Sequence, residues 1–267
     1  MRWVSSRDGT RIAVRTQGRG PALVAVHGTS SSAARWAPVL PALEARFTVH
    51  VIERRGRGES ARDEERRPYA LEREVEDVVA VIDDVVASAD GEGVSLLGHS
   101  FGGLIALEAT RASTRVKKLI VYEPAVAVDG RLYPVDALER FERLLAAEDR
   151  EGVVTSFFTD VLQFDDGALA RTRALASWPG RVAAAHTIPR EVRATDGYRW
   201  VPARFAEVAV PARVFVGGES GPFARRILDE VAAALPHGEL VILPGQKHVA
   251  MDTAPELFVR EVVAFLG

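Results

Sequence analysis

The feature of this sequence that most restricts its fold is the run VSLLGHSFGGLIAL at positions 94–107. Its first part is apolar and rich in β-forming residues, as in a strand that is buried on both faces of a parallel sheet. Its last part has the apolar and small residues of a packed helix. Gly98 and Gly102 stand at the junction, where an abrupt turn leaves no room for a Cβ atom. The run therefore predicts a strand, a sharp turn and a helix, with Ser100 at the apex of the turn.

A serine at that apex directs its hydroxyl away from the sheet, so Ser100 is a candidate nucleophile. The next residue, Phe101, starts the helix, and its N–H is one of the first-turn donors that no helical carbonyl satisfies. With the positive end of the helix dipole, such a donor suits the negative oxygen that develops on a carbonyl under attack. The other interpretation of the pattern is a glycine-rich turn that carries a serine without chemistry.

Composition limits the class of protein and of partner. Of the 267 residues, 47% are hydrophobic and 27% are charged, which favours one large α/β domain with an insertion. The 34 Lys and Arg are scattered among 37 Asp and Glu, so no basic stripe indicates nucleic acid and no polybasic cluster indicates a membrane surface. We therefore expect a small-molecule partner, and the sequence indicates no oligomeric state.

Cysteine, histidine and apolar runs narrow the chemistry and the location further. Cysteine is absent, which excludes disulfides and thiol chemistry. The N-terminus has no apolar signal region and no apolar run approaches the roughly 18 residues of a membrane span, so we expect a cytoplasmic protein. The six histidines are dispersed and none forms an H-x-x-x-H pair, so no metal site is expected.

Along the rest of the chain, short apolar runs alternate with helical patterns, as in a doubly wound α/β fold with a mostly parallel sheet. From about residue 125 to residue 205 this alternation stops, apolar residues recur at helical spacing, and aromatic residues are dense. We therefore predict an α/β core domain formed by residues 1–124 and 206–267, and an inserted helical cap formed by residues 125–205. Aromatic side chains of this cap are expected to line the substrate pocket.

With these features the sequence resembles an α/β-hydrolase along nearly its whole length. The resemblance rests on the Gly-x-Ser-x-Gly turn, on the His-Gly pair at positions 27–28 after a strand, and on His248 in a loop after the last strand. It implies that Ser100 is the nucleophile and His248 the general base. It also implies that the N–H of Thr29 is a second oxyanion donor beside that of Phe101, and that no cofactor is required.

The acid of the implied triad departs from the usual pattern. In most relatives an aspartate follows the strand that corresponds to residues 213–216, but here the loop reads GGESGP, and Glu219 comes too early to match. Some branches, among them one group of haloalkane dehalogenases, place a glutamate at the end of the preceding core strand, where this chain has Glu123. We expect Glu123 to orient His248 and keep Glu219 as the other candidate. A local hydrogen bond or ion pair of a strand-end carboxylate is the simpler interpretation of Glu123.

The resulting hypothesis is a serine hydrolase that cleaves a carboxylic ester, thioester or lactone of a small, fairly apolar substrate through an acyl-enzyme. Because the nucleophile is a serine, the aspartate-dependent epoxide hydrolases and haloalkane dehalogenases are not expected. A carbon–carbon bond hydrolase and a cofactor-free perhydrolase have the same architecture and stay open. The alternative of another class is a hydrolase-fold receptor that keeps the triad but mainly binds a ligand, and measurable turnover distinguishes the two.

Overall fold

The computed structural model describes residues 1–61, 68–88, 93–128 and 130–267. Its core is one β-sheet. Its strands are β1 (Arg2–Ser5), β2 (Arg11–Gly18), β3 (Ala22–Val26), β4 (Thr48–Glu53), β5 (Val94–His99), β6 (Val116–Tyr122), β7 (Ala212–Gly217) and β8 (Gly238–Leu243). Within the described residues they form an eight-stranded sheet in the order β1-β2-β4-β3-β5-β6-β7-β8.

The direction of the strands confirms a mostly parallel sheet. β1 and β2 form an antiparallel hairpin at one edge, and β2 pairs antiparallel with β4. All other neighbours, from β4 to β8, are parallel. The strand order reverses at β3, because the chain passes from β3 to β4 on one side and returns to β5 on the other. In open α/β sheets, ligands bind beyond the carboxyl ends of the strands at such a switch point.

Helices connect the strands and cover both faces of the sheet. They are α1 (Leu40–Glu44), α2 (Leu71–Ser88), α3 (Phe101–Ala112), α4 (Ala137–Ala146), α5 (Arg150–Ser156), α6 (Asp166–Arg173), α7 (Trp178–Ala183), α8 (Thr187–Gly197), α9 (Gly221–Ala233), α10 (Ala250–Thr253) and α11 (Pro255–Leu266). One π-helical turn, Phe157–Val161, follows α5, and 3₁₀ turns lie at Ala33–Trp36, Gly58–Ala61 and Pro202–Phe205. Within the described part of the chain, no helix combines the length and the apolar character needed to span a bilayer.

Alternate residues of the central strands face two different apolar layers. In β3, Val24 and Val26 belong to a cluster that includes α2, α3 and α9, whereas Leu23 and Ala25 belong to a second cluster that includes α1 and α11. Both layers are buried, so there is no solvent face on which polar residues could alternate. This is why the central strands have continuous apolar sequences.

Residues 125–205, which we call the cap, hold α4 to α8 and, among their described residues, no strand. They have an apolar cluster of their own, in which Phe141 and Ile188 are fully buried. Buried charges join the cap to the sheet layer, since Arg54 and Arg57 in the loop after β4 both form ion pairs with Glu191 of α8. The cap is therefore held to the rest of the molecule by specific polar contacts as well as by packing.

The turn from β5 into α3 depends on its glycines. A Cβ atom added to Gly98 would lie 2.4 Å from the carbonyl oxygen of Gly102, and one added to Gly102 would lie 2.4 Å from the carbonyl oxygen of Val26. Both distances are far shorter than van der Waals contact, and both opposing atoms are backbone atoms. The close approach that the sequence predicted is therefore present, and it packs α3 directly against β3 and β5.

Gly102→Ala is expected to lower the free energy of unfolding by about 1–3 kcal/mol, because the added methyl group has to displace the backbone of β3. Urea denaturation followed by circular dichroism measures the change. Gly180→Ala in α7 is the matched control, since a Cβ there meets no atom within 4 Å. The control should lose no stability, because alanine favours helix over glycine. Equal destabilisation of the two variants would contradict this account of the turn.

Candidate active site

Ser100 occupies a strained backbone position between β5 and α3. Its φ of 56° and ψ of −125° lie in a region that residues other than glycine rarely adopt. Four backbone hydrogen bonds hold it there: its N–H donates to the carbonyl of Tyr122 at 2.9 Å, and its own carbonyl accepts from Gly103 at 2.7 Å, from Leu104 at 3.2 Å and from Ala125 at 3.1 Å. The strain is therefore supported by both neighbouring elements, α3 and β6, and the side chain lines a cavity of about 370 Å³.

His248 lines the same cavity and is hydrogen-bonded to Glu123. The distance from His248 Nδ1 to Glu123 Oε2 is 2.6 Å. Glu123 directly follows β6 and has a φ of 41°, which turns its side chain out of the strand direction. Because Nδ1 faces the carboxylate, Nε2 is the imidazole nitrogen that is not bound to Glu123.

The second oxygen of the Glu123 carboxylate is also bound. Oε1 accepts a hydrogen bond from the Ser220 hydroxyl at 2.5 Å and from the Gly217 N–H at 2.9 Å. Burial raises the pKa of Glu123, but the hydrogen bonds and charge of His248, with the bonds from Ser220 and Gly217, outweigh burial and hold that pKa below its usual value. The carboxylate is therefore ionised at neutral pH and its orientation is fixed from two sides.

Glu219 occupies a different environment from Glu123. It is exposed at the rim of the cavity, and its backbone N–H donates to the carbonyl of Gln246 at 2.8 Å. Of the two glutamates considered from the sequence, the structure therefore brings Glu123 to His248. Ser220, the next residue of the same loop, donates its hydroxyl to Glu123, and sequence reasoning missed this contact. Its signal was its place in the loop after β7, where most relatives carry the acid.

His99 and Tyr122 fix the backbone on both sides of His248. The His99 Nε2–H donates to the carbonyl of His248 at 2.8 Å, while the Tyr122 hydroxyl donates to the carbonyl of Lys247 and accepts from the N–H of Ala250 at 3.1 Å. Burial, together with the charges of His248 and neighbouring groups, holds the pKa of His99 well below its usual range. His99 therefore stays neutral and acts here as a hydrogen-bond donor to the loop.

Thr29 and Phe101, the predicted oxyanion donors, both lie beside Ser100. Thr29 lines a narrow side pocket together with Ser100 and His248, and Phe101 is the first residue of α3. The loop that carries Thr29 passes so close that a Cβ on Gly28 would lie 2.8 Å from the Cβ of Ser100. Phe101 is at the first position of α3, so its N–H has no acceptor four residues earlier within the helix, and this environment suits a negative oxygen.

Arg54 holds the loop that carries Thr29, and sequence reasoning missed it. Its guanidinium donates to the carbonyls of His27 at 3.3 Å and Gly28 at 3.1 Å, and its side chain is only 1% exposed. Its charge is balanced by Glu74 at 2.7 Å and by Glu191 of the cap at 3.0 Å. These partners lie far away in the sequence, so no local pattern indicates the contact.

Comparisons with known proteins identify the family and the fold. Residues 23–261 match a family model described as the alpha/beta hydrolase family. A pimeloyl-(acyl-carrier protein) methyl ester esterase from Edwardsiella ictaluri is 29% identical over 257 residues, which span 91% of this chain and 92% of that protein. A 2-(acetamidomethylene)succinate hydrolase from Mesorhizobium japonicum is 26% identical over 274 residues, which span 95% of this chain and 90% of that protein. The crystal structure of an alpha/beta hydrolase from Sphaerobacter thermophilus superposes with a TM-score of 0.85 at 35% identity and covers 100% of both chains.

Glu123→Gln is expected to lower kcat by about 10³-fold or more, because the amide keeps the shape of the carboxylate but loses the charge that fixes the His248 tautomer. Steady-state hydrolysis of p-nitrophenyl butyrate measures the loss, and thermal melts verify folding. Glu219→Gln is the matched control and should retain nearly full activity, since Glu219 is exposed and only its backbone bonds to Gln246. If the two losses are reversed, Glu219 holds the role assigned to Glu123.

Proposed function

The chain belongs to the alpha/beta hydrolase family, and from this premise we propose that it cleaves a carboxylic ester, or a thioester or lactone, of a small and fairly apolar substrate through an acyl-enzyme. One observation carries the proposal. Ser100, held at a strained apex, opens into the same cavity as His248, whose Nδ1 is 2.6 Å from Glu123. A nucleophile, a base and an orienting carboxylate are the groups that acyl transfer through a serine requires.

The first half of the proposed reaction forms the acyl-enzyme. Ser100 Oγ attacks the carbonyl carbon while His248 Nε2 takes the hydroxyl proton, and Glu123 stabilises the resulting imidazolium. The N–H groups of Thr29 and Phe101 hold the negative oxygen of the tetrahedral intermediate. When the intermediate collapses, the bond to the leaving group breaks and His248 gives its proton to the leaving oxygen or sulfur.

The second half of the proposed reaction releases the acid. His248 removes a proton from a water molecule, which attacks the acyl carbon. The second tetrahedral intermediate then collapses as its bond to Ser100 Oγ breaks, His248 returns the proton to Oγ, and the carboxylic acid leaves. Each half-reaction returns the imidazole to its neutral form, so no cofactor enters the balance. The short hydrogen bond from Ser220 to Glu123 keeps the carboxylate in place through both halves.

The walls of the main cavity support an apolar acyl group. Most of the lining side chains are hydrocarbon or aromatic, and they come from the loop after β6, from the cap and from α9; they include Val126, Leu132, Phe157, Leu162, Phe223 and Ile227. Burial of an acyl chain against such walls contributes about 25 cal/mol per Å² of apolar surface. We therefore interpret the cap, residues 125–205, as a lid that helps to set acyl preference.

Ser100→Ala is expected to abolish covalent labelling by a fluorophosphonate probe, because the variant has no hydroxyl to phosphonylate at the apex. Intact mass spectrometry should show one adduct on the native protein and none on the variant. Ser113→Ala, at the other end of α3, is the matched control and should label fully. Labelling that survives in Ser100→Ala would move the nucleophile elsewhere. Absence of turnover on every ester in a native protein that still labels would favour the receptor alternative.

Phe223→Ala is expected to lower kcat/KM about 3- to 10-fold for p-nitrophenyl octanoate but little for the acetate, because only a long acyl chain reaches the cavity rim. Phe223 is 51% exposed, so its removal should leave stability nearly unchanged. The control is Trp3→Ala, an aromatic residue of β1 that is 44% exposed and does not line the cavity. An equal loss on both esters would show that Phe223 does not contribute to chain-length preference.

A further inference from the structure

A second, narrow pocket branches off beside Ser100, on the side of Thr29, and its lining differs from that of the main cavity. Its volume is about 20 Å³. Ser100 and His248 line both spaces, so a group in this side pocket is next to the reacting atoms. Two arginines, Arg35 from the 3₁₀ turn after β3 and Arg181 from α7 of the cap, contribute to its wall.

Arg181 is buried without an acidic partner. It is 7% exposed, it donates to the carbonyl of Ser30, and its guanidinium lies 5.4 Å from the ring centroid of Phe158. Among the described residues, no ion pair joins it to a carboxylate, and its Nε has no hydrogen-bond partner. The nearby carboxylate, Asp252, is paired with Arg35. The two guanidinium groups at this pocket are therefore balanced by one carboxylate.

Other polar atoms of the side pocket are also unsatisfied. Within the described ranges, Thr29 Oγ1, Ser31 Oγ, Arg35 Nε and His99 Nδ1 are buried and have no hydrogen-bond partner. Most buried polar atoms in folded proteins are hydrogen-bonded, so several unsatisfied polar atoms around one small space indicate a site for a polar group. Thr29 Oγ1, Ser31 Oγ and Arg35 Nε can donate a hydrogen bond, which suits an anion, whereas His99 Nδ1 can only accept one, because the ring proton is on Nε2.

The charge of the pocket agrees with that interpretation. Burial and the charge of Arg35 lower the pKa of Arg181 to about 10, and Asp252 opposes this shift. Arg181 therefore remains a cation at neutral pH. A buried charge without a partner is costly, whereas an anion that accepts its hydrogen bonds compensates the charge.

The size of the pocket selects among anions. A volume of about 20 Å³ holds one or two water-sized groups, and a planar carboxylate matches this size better than a larger tetrahedral phosphate does. On the basis of the hydrolase function proposed above, we propose that this side pocket binds a carboxylate group of the substrate. The substrate is then an ester, thioester or lactone with a free carboxylate at one end and an apolar remainder in the main cavity.

Binding to the full-length Ser100→Ala variant tests the proposal without turnover. Isothermal titration calorimetry compares esters that differ only by a carboxylate in place of a methyl group. Monomethyl succinate, glutarate and adipate are set against methyl butanoate, pentanoate and hexanoate, and 3-acetoxypropanoate is set against propyl acetate. At least one acid should bind about 10- to 100-fold more tightly than its neutral match, as expected for charge-assisted hydrogen bonds. No preference in any pair means that water alone fills the side pocket, and this result overturns the proposal.

A substitution of Arg181 tests whether this residue causes the preference for the acid over its neutral match. In the Ser100→Ala background, Arg181→Met should reduce the preference to about 2-fold or less, because methionine keeps the packing on Phe158 but loses the charge. Arg171→Met, at an exposed arginine of the same cap, should leave it unchanged. If Arg181→Met does not fold, Arg181→Gln replaces it with the same expectation. A preference that persists in the folded Arg181 variant contradicts the assignment.

Turnover by the protein with Ser100 intact tests the carboxylate site separately from the hydrolase function on which it rests. Arg181→Met should lower kcat/KM for the preferred acid about 10-fold or more and change that for its neutral match by less than about 3-fold. Loss of both activities to the same degree would give Arg181 a structural role only. Hydrolysis of neutral esters with no carboxylate preference would leave the hydrolase function intact and overturn the carboxylate site. Carboxylate binding without any hydrolysis would support the carboxylate site and overturn the hydrolase function.

Discussion

The contact of three backbone segments around Ser100 is the constraint on which the rest of the site depends. Gly98, Gly102 and Gly28 each leave no space for a side chain, because β5, α3 and the loop after β3 meet at separations shorter than a Cβ atom permits. This packing fixes the positive φ of Ser100 and sets the loop of Thr29 beside it. Close-packed backbone does not relax easily, so the strain is maintained by the fold itself rather than by any one side chain.

Buried charges connect this contact to the cap. Arg54 binds two carbonyls of the loop that carries Thr29 and also forms ion pairs with Glu74 of α2 and Glu191 of α8. Removing either partner of such a pair alone typically costs about 3–5 kcal/mol, because a charge is left without compensation. The position of the cap and the position of the loop that carries Thr29 are therefore linked through one guanidinium. The same arrangement brings Arg181 of the cap to the side pocket at Ser100.

The carboxylate beside His248 comes from the end of one strand and is held by the loop after the next. β6 and β7 are neighbours and parallel, so their carboxyl ends lie side by side beneath the histidine loop. Glu123 at the end of β6 reaches the imidazole, and Ser220 in the loop after β7 supports it through a hydrogen bond. Two neighbouring strand ends therefore position one carboxylate, β6 by carrying Glu123 and the loop after β7 by donating a hydroxyl to it.

The sequence alone determined the features that depend on neighbours along the chain. Local glycine spacing predicted the turn at Ser100, and continuous apolar runs predicted strands buried on both faces. It left Glu123 and Glu219 as alternatives, because strand ends meet only when the sheet is assembled. It gave no sign of the roles of Arg54 or Arg181, whose contacts join distant segments; Arg181 and the Ser30 carbonyl are 151 residues apart. Only the tertiary structure decided these contacts, since burial, pairing and charge balance are properties of the packed chain and leave no local periodicity.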